Sequence, residues 1–151
     1  MKTWLKVLIV TLLVAVPAFL LEPNSPLGVF WDPHPETAEP MGIQVPLFML
    51  LGLINALMLG LGVSFLLFGY PLVSAIGCAS RGLARAAHLA IGWILVSWWL
   101  HDSLHMVAGM ELGALLGIEY GFHVTVMIAG LVVAYFFIDA VRGSEAASAA
   151  C

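Results

Sequence analysis

His101 and His105 stand four residues apart in the run Ser97-Trp98-Trp99-Leu100-His101-Asp102-Ser103-Leu104-His105, and a third histidine, His123, follows Glu119 by the same interval. On a helix, residues at i and i+4 lie one above the other, so two imidazoles at that spacing offer two ligands to one metal ion. At roughly 100° per residue, His101, Asp102 and His105 share a helical face with Trp98. Imidazole suits Zn, Cu or Fe, and histidines on two facing helices are equally the axial pair of a haem b iron. The candidate metal site is therefore His101, His105 and His123, joined by Asp102 and Glu119. Asp102 is either a ligand or the acceptor that orients a ligating ring. The same residues also compose an interhelical polar network that binds nothing, with the aromatic rings lying at a membrane interface.

These residues must be positioned by apolar elements. Of 151 residues, 62% are hydrophobic and 9% charged, and the mean hydropathy is +1.07. Too few polar residues are present to cover a water-facing surface, so the apolar excess faces lipid or partner helices. The pattern predicts an all-α integral membrane four-helix bundle in a single domain, with spans at about 4–21, 45–69, 86–108 and 118–140. Residues 22–41 hold five prolines from Pro23 to Pro40 and four acids, Glu22, Asp32, Glu36 and Glu39. They read as an aqueous, proline-rich extracytoplasmic loop between helices 1 and 2. Phe30 and Trp31 would anchor it at the interface, and His34 reads as a solvated loop histidine. Residues 71–80 are apolar but too short to span, and read as an interfacial or half-inserted hairpin. The stretch 109–117 reads as a tight connection that makes the last two helices antiparallel neighbours, and 143–151 as a disordered tail.

Lys2, Lys6, Arg81, Arg85 and Arg142 all fall on one side of this arrangement. The positive-inside rule makes that side cytoplasmic, with both termini there, as in a bacterial-type inner membrane. The first span has the form of a signal peptide or an anchor; its apolar run continues past Val16-Pro17-Ala18, which favours a retained helix. Five scattered basic residues provide no electrostatic footprint for nucleic acid. Cys78 and Cys151 form neither a disulfide framework nor a C-x-x-C pair. His88 lies about 220° round the helix from His101 and at its other end, and reads as an interfacial histidine beside Arg85.

Small residues mark where helices approach. Gly52, Ala56 and Gly60 repeat every four residues, and Gly130 and Ala134 form a second such pair. Asn55, polar and in mid-span, hydrogen-bonds a neighbouring helix or lines a polar path.

Function follows in three readings. The first is a metal or haem site near the extracytoplasmic side, serving redox chemistry, metal handling or catalysis. The second is an accessory subunit of a larger membrane complex, such as a respiratory one, or a homo-oligomer, whose small-residue seams pack on other subunits. The third rests on His101-Asp102-Ser103-Leu104-His105, which resembles the H-E-x-x-H signature of zinc proteases with Asp in place of Glu and implies an intramembrane metalloprotease. That shorter acid draws its oxygens back from a metal-bound water. An alternating-access transporter lacks the paired broken helices and the internal repeat it requires.

Overall fold

The computed structural model describes residues 2–22, 25, 27–28, 41–76 and 80–149, with side chains as far as Gly143. Among the described residues there is no strand. The chain forms α1 (Thr3–Leu20), α2 (Gln44–Phe68), the short α3 (Tyr70–Ala75), α4 (Arg81–Ala108), α5 (Leu112–Ile118), a π-helical stretch (Glu119–Val124) and α6 (Thr125–Ala149). Four stretches are long and apolar enough to cross a membrane: Thr3–Leu20, Gln44–Phe68, Arg81–Ala108 and Leu112–Gly143. A helix satisfies its own backbone donors and acceptors, which is why leucine-rich runs of this length take that form away from water.

Side chains are distributed inside out relative to a water-soluble bundle. Apart from Asn55, the buried positions of α1 and α2 are small or hydroxylic, among them Thr11, Ala15, Ala18, Gly52, Ala56, Gly60 and Ser64. Large apolar side chains such as Leu13, Leu67 and Leu131 are more than 60% exposed. Small residues let backbones approach closely, so dispersion and interhelical hydrogen bonds hold helices together where lipid removes the hydrophobic drive.

The helices pack in chain order, α1 on α2, α2 on α4 and α4 on α6. Gly60 sits against the backbone of α1, where any side chain would meet the Thr11 carbonyl. Gly62 is closed in by Leu95 and Val96 of α4, and Gly92 by Leu66 of α2. Ser64 Oγ lies 2.9 Å from Thr11 Oγ1 and also reaches the Val7 carbonyl at 3.1 Å. The indole of Trp99 donates to the Ala18 carbonyl at 3.1 Å, and that of Trp93 to Thr125 Oγ1 at 3.0 Å, tying α4 to the outer helices on both sides. At the end where α4 begins, Val73, Ala84, Ala87 and Phe136 form the apolar core.

Several boundaries depart from the sequence reading. The third long helix starts at Arg81 rather than near 86, because Ser80 caps it by accepting from the Leu83 amide at 3.0 Å. The connection expected over 109–117 is confined to Gly109, Met110 and Glu111. Gly109 ends α4 with φ 53°, and the Glu111 carboxylate caps α5 by accepting from the amides of Gly113 and Ala114. Those two hydrogen bonds hold the Glu111 carboxyl below the usual carboxylate range. The backbone is helical to Ala149, where a disordered tail is expected. Residues 70–75 form α3, which rests on α4. Apart from Glu22, Ser25, Leu27, Gly28 and Met41, the expected proline-rich loop lies outside the described residues, as do Phe30, Trp31, His34, Cys78 and Cys151.

The two small-residue seams part company. Gly52, Ala56 and Gly60 are buried, with Gly60 on Thr11 and Ala15 of α1 and Gly52 on the Glu22 side chain, so this seam is filled within the chain rather than by another subunit. Gly130 and Ala134 are exposed, with open space beside Gly130. In α6 the buried side chains are Ala129, Phe136 and Ala140 instead.

Candidate functional site

α4 carries Trp98, His101, Asp102 and His105 on its last turns, and the π-helical stretch brings Glu119, Phe122 and His123 alongside. His101 is the hub. Its Nδ1 lies 2.9 Å from Asp102 Oδ1 and its Nε2 lies 3.1 Å from His105 Nε2. The ring centroids of His105 and His123 are 4.5 and 4.8 Å from that of His101. Trp98 and Phe122 turn their rings roughly perpendicular to it, at 5.7 and 5.8 Å, and Trp93 stacks on Phe122 at 6.0 Å. His123 in turn pairs its Nδ1 with Glu119. All five residues expected at the site are therefore brought together, with His123 approaching His101 rather than His105.

Hydrogen-bond chemistry decides the tautomers. An ionised carboxylate only accepts, so the ring atom facing Asp102 is Nδ1–H, and neutral His101 keeps a bare lone pair on Nε2. His105 then donates Nε2–H to that lone pair. Glu119 imposes the same choice on His123, leaving its Nε2 bare as well. Asp102 is held from its other side by Asn55 of α2, whose amide donates to Oδ2 at 2.6 Å. Both Asp102 oxygens are thus engaged, Oδ1 by His101 and Oδ2 by Asn55.

Among the described residues, no group of three or more His, Cys, Asp or Glu side chains gathers its donor atoms into a site ready to hold a metal ion as it stands. Two imidazole nitrogens meet, and the third ring stands beside them, anchored to Glu119 and half-exposed. Between His101 and His123, bounded by Ser97, Trp98, Phe122 and Val126, is a void of about 10 Å³.

A larger cleft of about 400 Å³ opens on the other side of Asp102. Its polar wall is Glu22, Asn55, Asp102 and His105, and Phe48, Leu51 and Met106 supply apolar wall. Sequence reasoning placed Glu22 in the aqueous loop, whereas its side chain folds back beneath the end of α1, 8% exposed, into the notch left by Gly52. Burial, reinforced by the nearby Asp102 charge, pushes the Glu22 carboxyl up to about 7. The only local hint is an acid placed directly after an unbroken apolar run; the glycine that makes room for it lies on another helix.

His88, read from the sequence as an interfacial histidine, is turned into the bundle. It is buried, its Nε2 lies 3.2 Å from the Leu66 carbonyl, and its ring lies between Phe65 and Tyr70 at 5.0 and 5.7 Å. Compared with known proteins, the chain matches no protein family, no curated protein and no solved structure.

Proposed function

We propose that this chain is an integral protein of a bacterial-type inner membrane, with both termini cytoplasmic, that binds a transition-metal ion through His101, His105 and His123 near the extracytoplasmic surface. The observation that carries the reading is the pair of carboxylate-to-Nδ1 contacts, Asp102 to His101 and Glu119 to His123, which leave Nε2 of both rings unprotonated, that of His101 accepting from His105. Such contacts are how proteins commonly fix a histidine for metal binding and raise its basicity. The 3.1 Å between the Nε2 atoms of His101 and His105 is close to the roughly 3.3 Å that separates two nitrogens bound tetrahedrally at 2.0–2.1 Å. His101 and His105 would hold an ion there through Nε2, the His105 proton passing to that ring's Nδ1, and the half-exposed His123 would supply a third imidazole. The small void favours a bare Zn, Cu or Fe ion over a haem b. Three imidazoles with room for a further ligand suit redox, metal handling or metal-assisted hydrolysis. In the last case a group other than Asp102 supplies the base, which weakens the protease-like reading.

The test is the metal content of protein purified in mild detergent without chelator, beside His105→Ala. Near-stoichiometric iron, copper or zinc that disappears in the variant is expected. No metal in either protein overturns the reading.

A second reading, a subunit of a larger membrane complex or a homo-oligomer, is favoured by the exposed small-residue face of α6 at Gly130 and Ala134. Lipid can cover that face as well as a helix can. Crosslinking through a cysteine placed at Gly130 in native membranes distinguishes them.

A further inference from the structure

The cleft beside Asp102 has properties that the histidine cluster does not use. Its most unusual atom is Glu22 Oε1, buried and without a hydrogen-bond partner among the described residues. A buried carboxyl with a free oxygen is costly unless a donor reaches it. Asp102 adds a second acid to the same wall, and Asn55 hydrogen-bonds that acid without cancelling its charge. Among the described residues no lysine or arginine lines the cleft, and its one imidazole, His105, is engaged through Nε2 with His101. Lys2 and Lys6 are at the start of α1, Arg81 and Arg85 at the start of α4, and Arg142 near the end of α6, all at the opposite end of the helices. The buried Glu22 carboxyl is thus left either to keep its own proton or to take a cation from outside the protein.

Size and lining say what kind of cation fits. The volume, about 400 Å³, exceeds many times the roughly 30 Å³ occupied by one water molecule and lies within the range of small-molecule sites. Phe48 and Leu51, 44% and 45% exposed, leave the apolar side of the cleft partly open. We propose that this cleft binds an amphiphilic amine, its ammonium group on the Glu22 carboxylate and its apolar body against Phe48, Leu51 and Met106. Charge-assisted hydrogen bonding to Glu22 fixes the head, and the bilayer concentrates the ligand. The cleft shares Asp102 and His105 with the metal reading, but the anchoring group of this proposal, Glu22, takes no part in the histidine cluster.

The experiment uses the full chain in phosphatidylcholine nanodiscs, with dansyl-pentylamine as the fluorescent probe and its N-acetyl derivative as the uncharged control. Wild-type protein is expected to bind the amine saturably, and about tenfold more tightly than the acetylated probe. Glu22→Gln is expected to lose the same factor for the amine and none for the control. Leu51→Trp, which fills the cleft while keeping Glu22, is expected to weaken both probes and covers the case in which Glu22→Gln does not fold. Equal amine affinity in wild type and Glu22→Gln, or equal affinity for the two probes, overturns the proposal. Displacement of the amine by zinc, reversed by chelator, also overturns it by making the cleft part of the metal site. A chain without metal that still binds the amine separates this proposal from the metal reading.

Discussion

His88 and His101 belong to the same helix, and both are largely removed from solvent, yet their surroundings fix opposite tautomers. His88 faces a backbone carbonyl with Nε2, so Nε2 carries the proton, and its Nδ1 is left buried without a partner between aromatic rings. His101 faces a carboxylate with Nδ1, so the proton is there and Nε2 is bare beside two further imidazoles. One ring has its Nε2 proton held by a carbonyl; the other keeps Nε2 unprotonated, accepting from a neighbouring imidazole. Burial of a histidine in a membrane helix is therefore not itself a sign of chemistry. What separates the two ends of α4 is whether an acid or a carbonyl holds the ring.

The largest expected effect tests this contrast directly. His101→Ala abolishes the bound metal, whereas His88→Ala leaves the metal content of the purified protein at the wild-type level; loss of metal in both variants would erase the distinction. Next, Asp102→Asn keeps the shape but removes the charge that selects the tautomer, so metal affinity falls by about 10- to 100-fold in a competition titration with a chromogenic chelator. An unchanged affinity would mean that Asp102 is only a helix-packing residue. His88→Ala instead shows its effect in stability. Emptying the space between Phe65 and Tyr70 costs about 2–3 kcal/mol of unfolding free energy, read from denaturation in detergent, because the helices close only partly around the gap.

The smallest effect concerns Glu22, which neighbours Asp102 across the cleft. Its folded carboxyl is raised to about 7, above the usual range near 4.5, so the folded state holds a proton that the unfolded state releases. Stability attributable to this group is full below about pH 4.5 and declines as pH rises toward and past 7. Glu22→Gln removes that decline. The variant is expected to melt a few degrees above wild type at pH 8, with the gap narrowing toward pH 5. Equal melting temperatures at both values would show that water reaches the carboxyl freely.

The four long apolar stretches were legible because each exceeds what a hydrocarbon layer requires, and the His101–His105 pairing because helical spacing is a local property. The capping serine that moves the start of α4 was visible too, though the arginines after it argue for an aqueous segment. Other features depend on residues remote in the chain. Nothing near Glu22 announces that Gly52 will leave a notch for it, and nothing near His88 announces Phe65 and Tyr70. The two seams of small residues look alike along the chain; only the packing of α1 fills one and leaves the other open. The π-helical stretch has no compositional signature, and its effect on where His123 points could not be read from residue spacing.

The π-helical stretch also governs how the fourth long apolar stretch can change. A π turn accommodates one residue more than the α-helix around it, so it acts as a slip joint between two registers. On one side the register is set by Thr125, which receives the Trp93 indole, and by Phe136 in the apolar core. On the other it is set by the Glu111 cap and the turn at Gly109. Glu119 and His123 lie within the joint itself. The direction of His123 can thus be retuned by single-residue insertions or deletions there, leaving the contacts that hold α6 to α4 in step.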